Sequence, residues 1–570
     1  MESREATYVA AVVDAQADFI PWTFMLERFT DWWVGTESEA AGRRSLIFAI
    51  SSLAAICSAV AFLGVPRMRL YGHDVFVSLD GGWRVLHGQR PAVDFFAQMG
   101  PVYYLLHAAG LRMAGNEARG LGYGTTIVAV LISTWSVVLL RSRMTARVLV
   151  LTSIALVLLA AAPFPLGNTF WSTSFGMKHN RYEFALTGLV LLECFLDSGA
   201  GAGKRQFAGG LSSGLAGGLL LFLKISYGLV ALGLIVVSMV FRPREWRRMA
   251  GVAAGMGAVG IPMLAYLRFD VCALVGEYRL LAAVRGGDLG FSTIAHRLYQ
   301  DRFEVLLLAV LTLLVSSLPG VRMKRRVELL TSTALVLGAG VLLLLTNTQW
   351  SMYPLNSMMA LILINEVVRL RPFCPPLAVA PLLAMGALIV AVPLTLDAAG
   401  LAAAVEDKLV HRNVTVAGGY RLEGDHMAAL EFFEAREVSE SWGQNDNGRP
   451  FVEFTNEGLA LLREHTGPEE TVRGMGMSNP FSYGLLRPPS RGGSVVIAAS
   501  DVSLSAVPPL DRLVGDADIL LIPKFPDLDR AALRIVIERY PELLGTLYSE
   551  VTESAHWKLY RRVRAHEARH

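Results

Sequence analysis

Four groups of residues in this 570-residue chain have types and spacing that could do chemistry. Asp74 stands ahead of an apolar stripe, Phe76, Leu79, Trp83 and Leu86, at helical spacings of three and four. A carboxylate there either caps the helix or can take a proton as a general base. Lys224 lies within Leu-Phe-Leu-Lys-Ile-Ser-Tyr, where a charge needs a partner or a purpose. It either snorkels to an interface or holds an anion. The run Lys178-His179-Asn180-Arg181-Tyr182 is dense in donors, and His179 or Arg181 could hold an anion or a sugar; a plain basic cluster is the alternative. Asn347, Gln349, Trp350 and Tyr353 form a polar-aromatic set that suits a sugar and equally an aromatic belt. Asp80 shares the polar side of the Asp74 helix with Ser78, Arg84 and His87, and either meets substrate or is simply solvated. Asp94, before two phenylalanines, either orients its turn or meets substrate.

The elements that would position these groups begin with residues 72–115. The spacing predicts a helix over 75–87, with Asp74 at its N-cap, lying on a membrane surface. A turn follows from Gly88 to Pro91, and Gly100-Pro101 opens a second apolar helix of about 14 residues, too short for the roughly 20 that a span needs.

This stretch resembles the first outer-face loop of the GT-C glycosyltransferases, in the branch related to protein O-mannosyltransferases and lipid A aminoarabinose transferases. The residues that carry the resemblance are Asp74, Leu86-His87-Gly88, Pro91-Ala92-Val93-Asp94-Phe95 and Gly100-Pro101-Val102-Tyr103-Tyr104. Val75 and Ala92 depart from that pattern, which commonly has an acidic and an aromatic residue there.

Composition is consistent with that setting. The chain is 53% hydrophobic and 18% charged, with a mean hydropathy of +0.43, which indicates a polytopic membrane protein with a polar appendage. A net charge of +3 gives nothing to nucleic acid. Cys57, Cys194, Cys272 and Cys374 are widely spaced, with no metal-ligand or disulfide pattern. Residues 1–44 read as a cytoplasmic arm. Residues 45–396 read as the transmembrane GT-C-like domain, with 66–120 as its first outer loop. About 11 spans, near 45–65, 121–140, 148–163, 183–197, two within 208–241, 249–267, 303–319, 328–346, 355–369 and 376–396, put every basic cluster between spans on one side. The two within 208–241 turn near Lys224-Ile225-Ser226, and 164–182, 268–302 and 346–354 read as further outer loops.

Residues 397–570 read as an extracytoplasmic α/β domain. Strand-like runs fall at Val472–Met477, Ser494–Ala499, Asp518–Pro523 and Trp557–Arg562, and helix-like runs at His426–Glu437, Asn456–His465 and Asp529–Tyr540.

The resemblance implies a membrane glycosyltransferase of the bacterial inner or plasma membrane, active on its periplasmic or extracytoplasmic side. It would move a sugar from a polyprenyl-phosphate donor to a hydroxyl of a cell-envelope glycan, lipid or protein. Direct displacement would invert the anomeric centre. Asp74 falls at the family's catalytic acid, here the general base; Lys224 and Arg181 would hold the phosphate, with Asp80, Asp94, Tyr103, His179, Gln349 and Trp350 about the substrates. No cofactor is required beyond the lipid-linked donor, although Asp74 and Asp80 could share a divalent cation with its phosphate. A transporter or flippase for a lipid-linked substrate, or a non-catalytic envelope-assembly subunit, would use the same features.

Overall fold

The structure is a computed structural model that describes residues 39–196, 203–285, 291–347, 351–411, 419–433, 448–498, 502–503, 506–524 and 530–563. It is mostly helical. Helix α1 is Glu39–Leu63, α2 Asp74–Leu86, α3 Pro101–Met113, α4 Gly120–Leu140, α5 Ala146–Ala161, α6 Lys178–Phe195, α7 Gly203–Leu223 and α8 Ile225–Phe241. Then come α9 Trp246–Tyr266, α10 Val271–Arg285, α11 Phe291–Gln300, α12 Arg302–Ser316, α13 Met323–Thr346, α14 Tyr353–Leu370 and α15 Pro376–His411. Among the described residues, 6 helices, within α1, α4, α7, α9, α13 and α15, are long and apolar enough to cross a membrane; α5 and α8 are shorter and apolar.

The centre of the bundle is α6, every residue of which is buried, flanked by the almost fully buried α14. Its first turns hold Lys178 to Glu183, so the donor run expected in a loop is helical. Glycines let α7 and α9 meet backbone to backbone: a Cβ at Gly210 or Gly214 would strike the carbonyl of Arg248 or Val252, and one at Gly251 that of Phe207. The helix break expected within 208–241 falls on Lys224, whose backbone is extended at φ −161° and ψ 123°. The expected outer loop 268–302 instead carries α10 and α11.

At one end of the bundle the basic clusters are ion-paired. Glu193 of α6 meets Arg143 at 3.3 Å and Arg248 at 2.7 Å, and accepts from Ser213 at 2.6 Å. Glu328 meets Arg242 at 3.1 Å and Arg325 at 2.9 Å, and Arg325 also reaches Glu366 at 2.9 Å.

The C-terminal segment sits against the opposite end, where α2 lies. Strands β1 (Gly419–Arg421) and β2 (Glu431–Phe433) pair antiparallel, and Met68 extends the pair through two backbone hydrogen bonds to β2. Helix α16 (Gly448–His465) precedes a sheet of β3 (Val472–Gly474), β4 (Ile519–Pro523), β5 (Tyr548–Glu553) and β6 (Trp557–Arg562), in the order β3-β4-β6-β5. The β3-β4 pair is parallel and the others are antiparallel. Short helices α17 (Phe481–Gly484) and α18 (Leu510–Leu513) and helix α19 (Arg530–Arg539) complete it.

Three expectations are corrected here, and one strand is added. The helix expected over His426–Glu437 is a 3-10 turn followed by β2; residues 434–437 lie outside the described ones. Ser494–Val496 is not a sheet strand but runs beside the first loop, with Val495 N–H donating to the Phe96 carbonyl. Strand β5 went unnoticed because its outer-edge residues are mostly exposed and polar, which erases the alternation of a half-buried strand. The boundary at 396/397 falls inside α15, which continues to His411.

The α2 helix is also not a membrane-surface helix. Val75 to Arg84 are all buried. Its stripe of Phe76, Leu79 and Trp83 packs with Leu422, Met427, Phe451, Leu462, Phe481 and Tyr483 of the C-terminal segment. The Trp83 indole donates to the Arg487 carbonyl at 2.8 Å.

Removing the shared carboxylate by Glu193→Ala strands two buried arginines. Loss of about 3–5 kcal/mol is expected for breaking such a pair, read as a lower unfolding temperature of the purified protein in detergent.

Candidate functional site

Asp74 is the first residue of α2, not its cap. The N-cap position belongs to His73, and no side-chain cap hydrogen bond is made there. The Asp74 carboxylate keeps 19% exposure and meets His73 Nε2 at 3.1 Å. A helix N-terminus favours a negative charge at this point. Gly176 gives the carboxylate its room, since a Cβ there would lie 2.5 Å from Asp74 Oδ2. The next residue, Met177, turns the chain into α6 through a left-handed conformation at φ 55°.

One turn of α2 separates Asp74 from its link to the bundle. Ser78, one turn along α2, shares a 2.6 Å hydrogen bond with the Tyr103 hydroxyl of α3. Burial pushes the Tyr103 phenol up, the Ser78 hydrogen bond opposing and the Asp74 charge adding to it. The Tyr103 ring stands edge-on to His107 at 4.5 Å and to His179 at 5.7 Å. His179 Nε2 lies 3.2 Å from Lys224 Nζ. The break at Lys224 is locked to the start of α3: Gly100 N–H donates to the Leu223 carbonyl at 2.8 Å, and any side chain at Gly100 would overlap the Phe222 carbonyl. Tyr227 donates to Asn180 Oδ1 at 3.4 Å, and Ser226 lies 3.4 Å from the Asn347 amide. One turn below His179, Glu183 is fully buried.

The sequence-nominated residues therefore divide. Tyr103, His179 and Lys224 form one run of contacts, and Asp74 stands one turn of α2 from Ser78, which bonds Tyr103. Arg181 does not: its guanidinium pairs with Asp397 at 2.9 Å and donates to the Phe164 and Leu159 carbonyls at 2.5 and 3.1 Å. It braces α6 against α5 and α15, because two residues on from His179 on an α-helix is about 200° around the axis, nearly the opposite face. Lys178 likewise donates to the Ala161 and Ala162 carbonyls at 2.8 and 2.7 Å, closing the end of α5. Asp80 is neither solvated nor turned to substrate. It is fully buried, pairs with Arg84 at 3.0 Å, accepts from Asn479 at 3.2 Å and lies 3.9 Å from Arg473. Burial pushes the Arg473 guanidinium down to about 9. The cation shared by Asp74 and Asp80 does not fit, since arginines occupy Asp80, and no group of three His, Cys, Asp or Glu suited to a metal occurs among the described residues. Asp94 accepts from the Arg90 N–H at 2.7 Å and orders its turn. Gln349 and Trp350 lie outside the described residues.

Ser78, His107, Gly176, Asn180, Glu183 and Tyr227 were not singled out from sequence. Glu183 and Asn180 carried a signal: both stand in the polar head of an otherwise apolar run.

No family model and no curated protein sequence matches the chain. Among solved structures, the chain is similar to ArnT from Cupriavidus metallidurans in the apo state, at 13% identity and a TM-score of 0.40, over 92% of this chain and 99% of that one. ArnT from the same organism bound to undecaprenyl phosphate aligns at 13% identity and a TM-score of 0.40, over 91% and 98%.

Two outcomes follow from this packing. Gly176→Ala should displace the Asp74 carboxylate and lower any Asp74-dependent activity about as far as removing the carboxylate, with little change in unfolding temperature. His107 is buried with no hydrogen-bond partner for either ring nitrogen among the described residues, and burial pushes it down from 6.5 to about 3. The folded imidazole stays neutral where the unfolded one takes a proton, so stability is lost as pH falls below 6.5. Thermal unfolding should show this between pH 6.5 and about 5, with a slope of up to about 1.4 kcal/mol per pH unit, and His107→Leu should flatten it.

Proposed function

We propose that the chain is an integral membrane glycosyltransferase that moves a sugar from a polyprenyl-phosphate donor to a hydroxyl of a cell-envelope glycan, lipid or protein. The observation that carries this reading is the joining of Asp74 to the Lys224–His179 pair through Tyr103 and Ser78. A carboxylate that does not serve as a helix cap thus stands one helical turn from a run of contacts that ends on Lys224.

Those groups match the needs of the reaction. Asp74 takes the proton of the acceptor hydroxyl. The acceptor oxygen forms its bond to the anomeric carbon as the bond from that carbon to the phosphate oxygen breaks, and the electron pair leaves on the phosphate. Attack opposite the leaving group inverts the centre. Lys224 and His179 hold the departing phosphate. A phosphate is a stable leaving anion, so no general acid is needed. Arg181 has no part in this scheme; its role is to brace the bundle.

The topology that suits the chemistry has about 11 spans, with α2 and α3 outside the bilayer and the arginines of the opposite end in the cytoplasm. Asp74, Lys224 and the C-terminal segment then share the extracytoplasmic side. The C-terminal segment supports α2 by burying its apolar stripe.

Transfer from polyprenyl-phosphate sugars, measured on the protein in proteoliposomes, tests the reading. Asp74→Asn should lower turnover by about 10²–10⁴-fold, and Lys224→Met should weaken donor use by about 10–100-fold, the worth of a hydrogen bond to a charged group. Near wild-type turnover in Asp74→Asn would remove this residue from the mechanism.

A further inference from the structure

Glu183 is a charge that the scheme above does not use. It lies four residues after His179, so both face the same way from α6, one turn apart. His179 Nε2 is 3.2 Å from Lys224 Nζ. The Glu183 side chain is fully buried, and neither carboxylate oxygen has a hydrogen-bond partner among the described residues. The cation on that face of α6 is Lys224, which His179 touches. Glu193, on the same helix, shows how a purely structural carboxylate is treated: two arginines and a serine hold it.

A buried carboxylate with no neutral donors depends on its counter-charge. Here that counter-charge is Lys224, the group proposed to receive the donor phosphate. We propose that Glu183 is a positioning residue that holds the Lys224 ammonium by charge while the site is empty of donor, and takes up a proton when a lipid-borne phosphate takes that ammonium over. The inference rests on the phosphate-holding role of Lys224.

The exchange follows from charge balance. With the phosphodiester bound, two anions share one ammonium in a low-dielectric interior, where like charges cannot both be carried cheaply. A phosphodiester is too strong an acid to protonate, so the proton goes from solvent to the carboxylate. The phenols of Tyr103 and Tyr227 ordinarily titrate near 10, well above neutral pH. His179 and Asp74 are the other nearby groups that could give binding the same sign of pH dependence.

The test uses the full-length protein in detergent and farnesyl methyl phosphodiester, a probe with no titrating proton of its own near neutral pH. Calorimetry in buffers of different ionisation enthalpy reads affinity and proton uptake together. Wild-type affinity should fall as pH rises, by up to about tenfold per pH unit, with up to one proton taken up. Glu183→Gln should bind with pH-independent affinity and no uptake, and Glu183→Asp should restore both effects. Proton-free, pH-independent binding by the wild type would overturn the inference while leaving the lipid-phosphate reading intact. So would a pH dependence that survives in Glu183→Gln but vanishes in His179→Gln or Asp74→Asn. No wild-type binding at any pH would overturn the lipid-phosphate reading itself, and this inference with it. The wild-type proton count needs no variant, so a misfolded Glu183→Gln leaves the test standing.

Discussion

A charge inside an apolar bundle must be answered, and the way each charge on α6 is answered organises this molecule. Lys178 is answered by the last carbonyls of α5, Arg181 by Asp397 and two further carbonyls, and Glu193 by Arg143, Arg248 and Ser213. Each arrangement closes on itself and ties α6 to a neighbouring helix. His179, Glu183 and Lys224 are treated otherwise. His179 meets Lys224 and the Tyr103 ring, and the buried Glu183 carboxylate is left short of hydrogen bonds. The contrast along a single helix separates charges that hold the bundle together from charges that can serve a ligand.

The same logic explains why α2 is buried. Its apolar stripe and its polar face both find partners in the C-terminal segment, some 400 residues away in sequence. Arg84 donates to the Ser490 and Gly492 carbonyls at 2.9 and 2.7 Å, while Asn479 and Arg473 face Asp80. Anchoring at the middle and end of α2 sets its first turn, with Asp74, against Gly176. Arg67, which meets both Asp407 of α15 and Glu431 of β2, adds a second tie between the bundle and the C-terminal segment.

Much of this was readable in the sequence where the signal was local. The helix break at Lys224 follows from a charge set in a long apolar run, and α3 from Gly100-Pro101 ahead of an apolar stretch. Asp74 was found through its position before an apolar stripe. What was not readable depended on distant partners. The polar side of α2 looks like a solvated face until Asn479 and Arg473 cover it. Arg181 and His179 are neighbours in sequence, and only the helical turn sends one to Asp397 and the other to Lys224. Glu183 closes the polar head of α6, a local signal, but its want of hydrogen-bond partners shows only in the folded bundle.

Helix α15 has one further consequence. Its 36 residues make a rod of about 54 Å, and an apolar slab takes about 30 Å. The remainder stands clear of the lipid as a mast, with Asp397 part-way up and Asp407 near its top. Arg67 joins Asp407 on that mast to Glu431 of β2, so the mast sets how far the β1-β2 pair stands from the lipid.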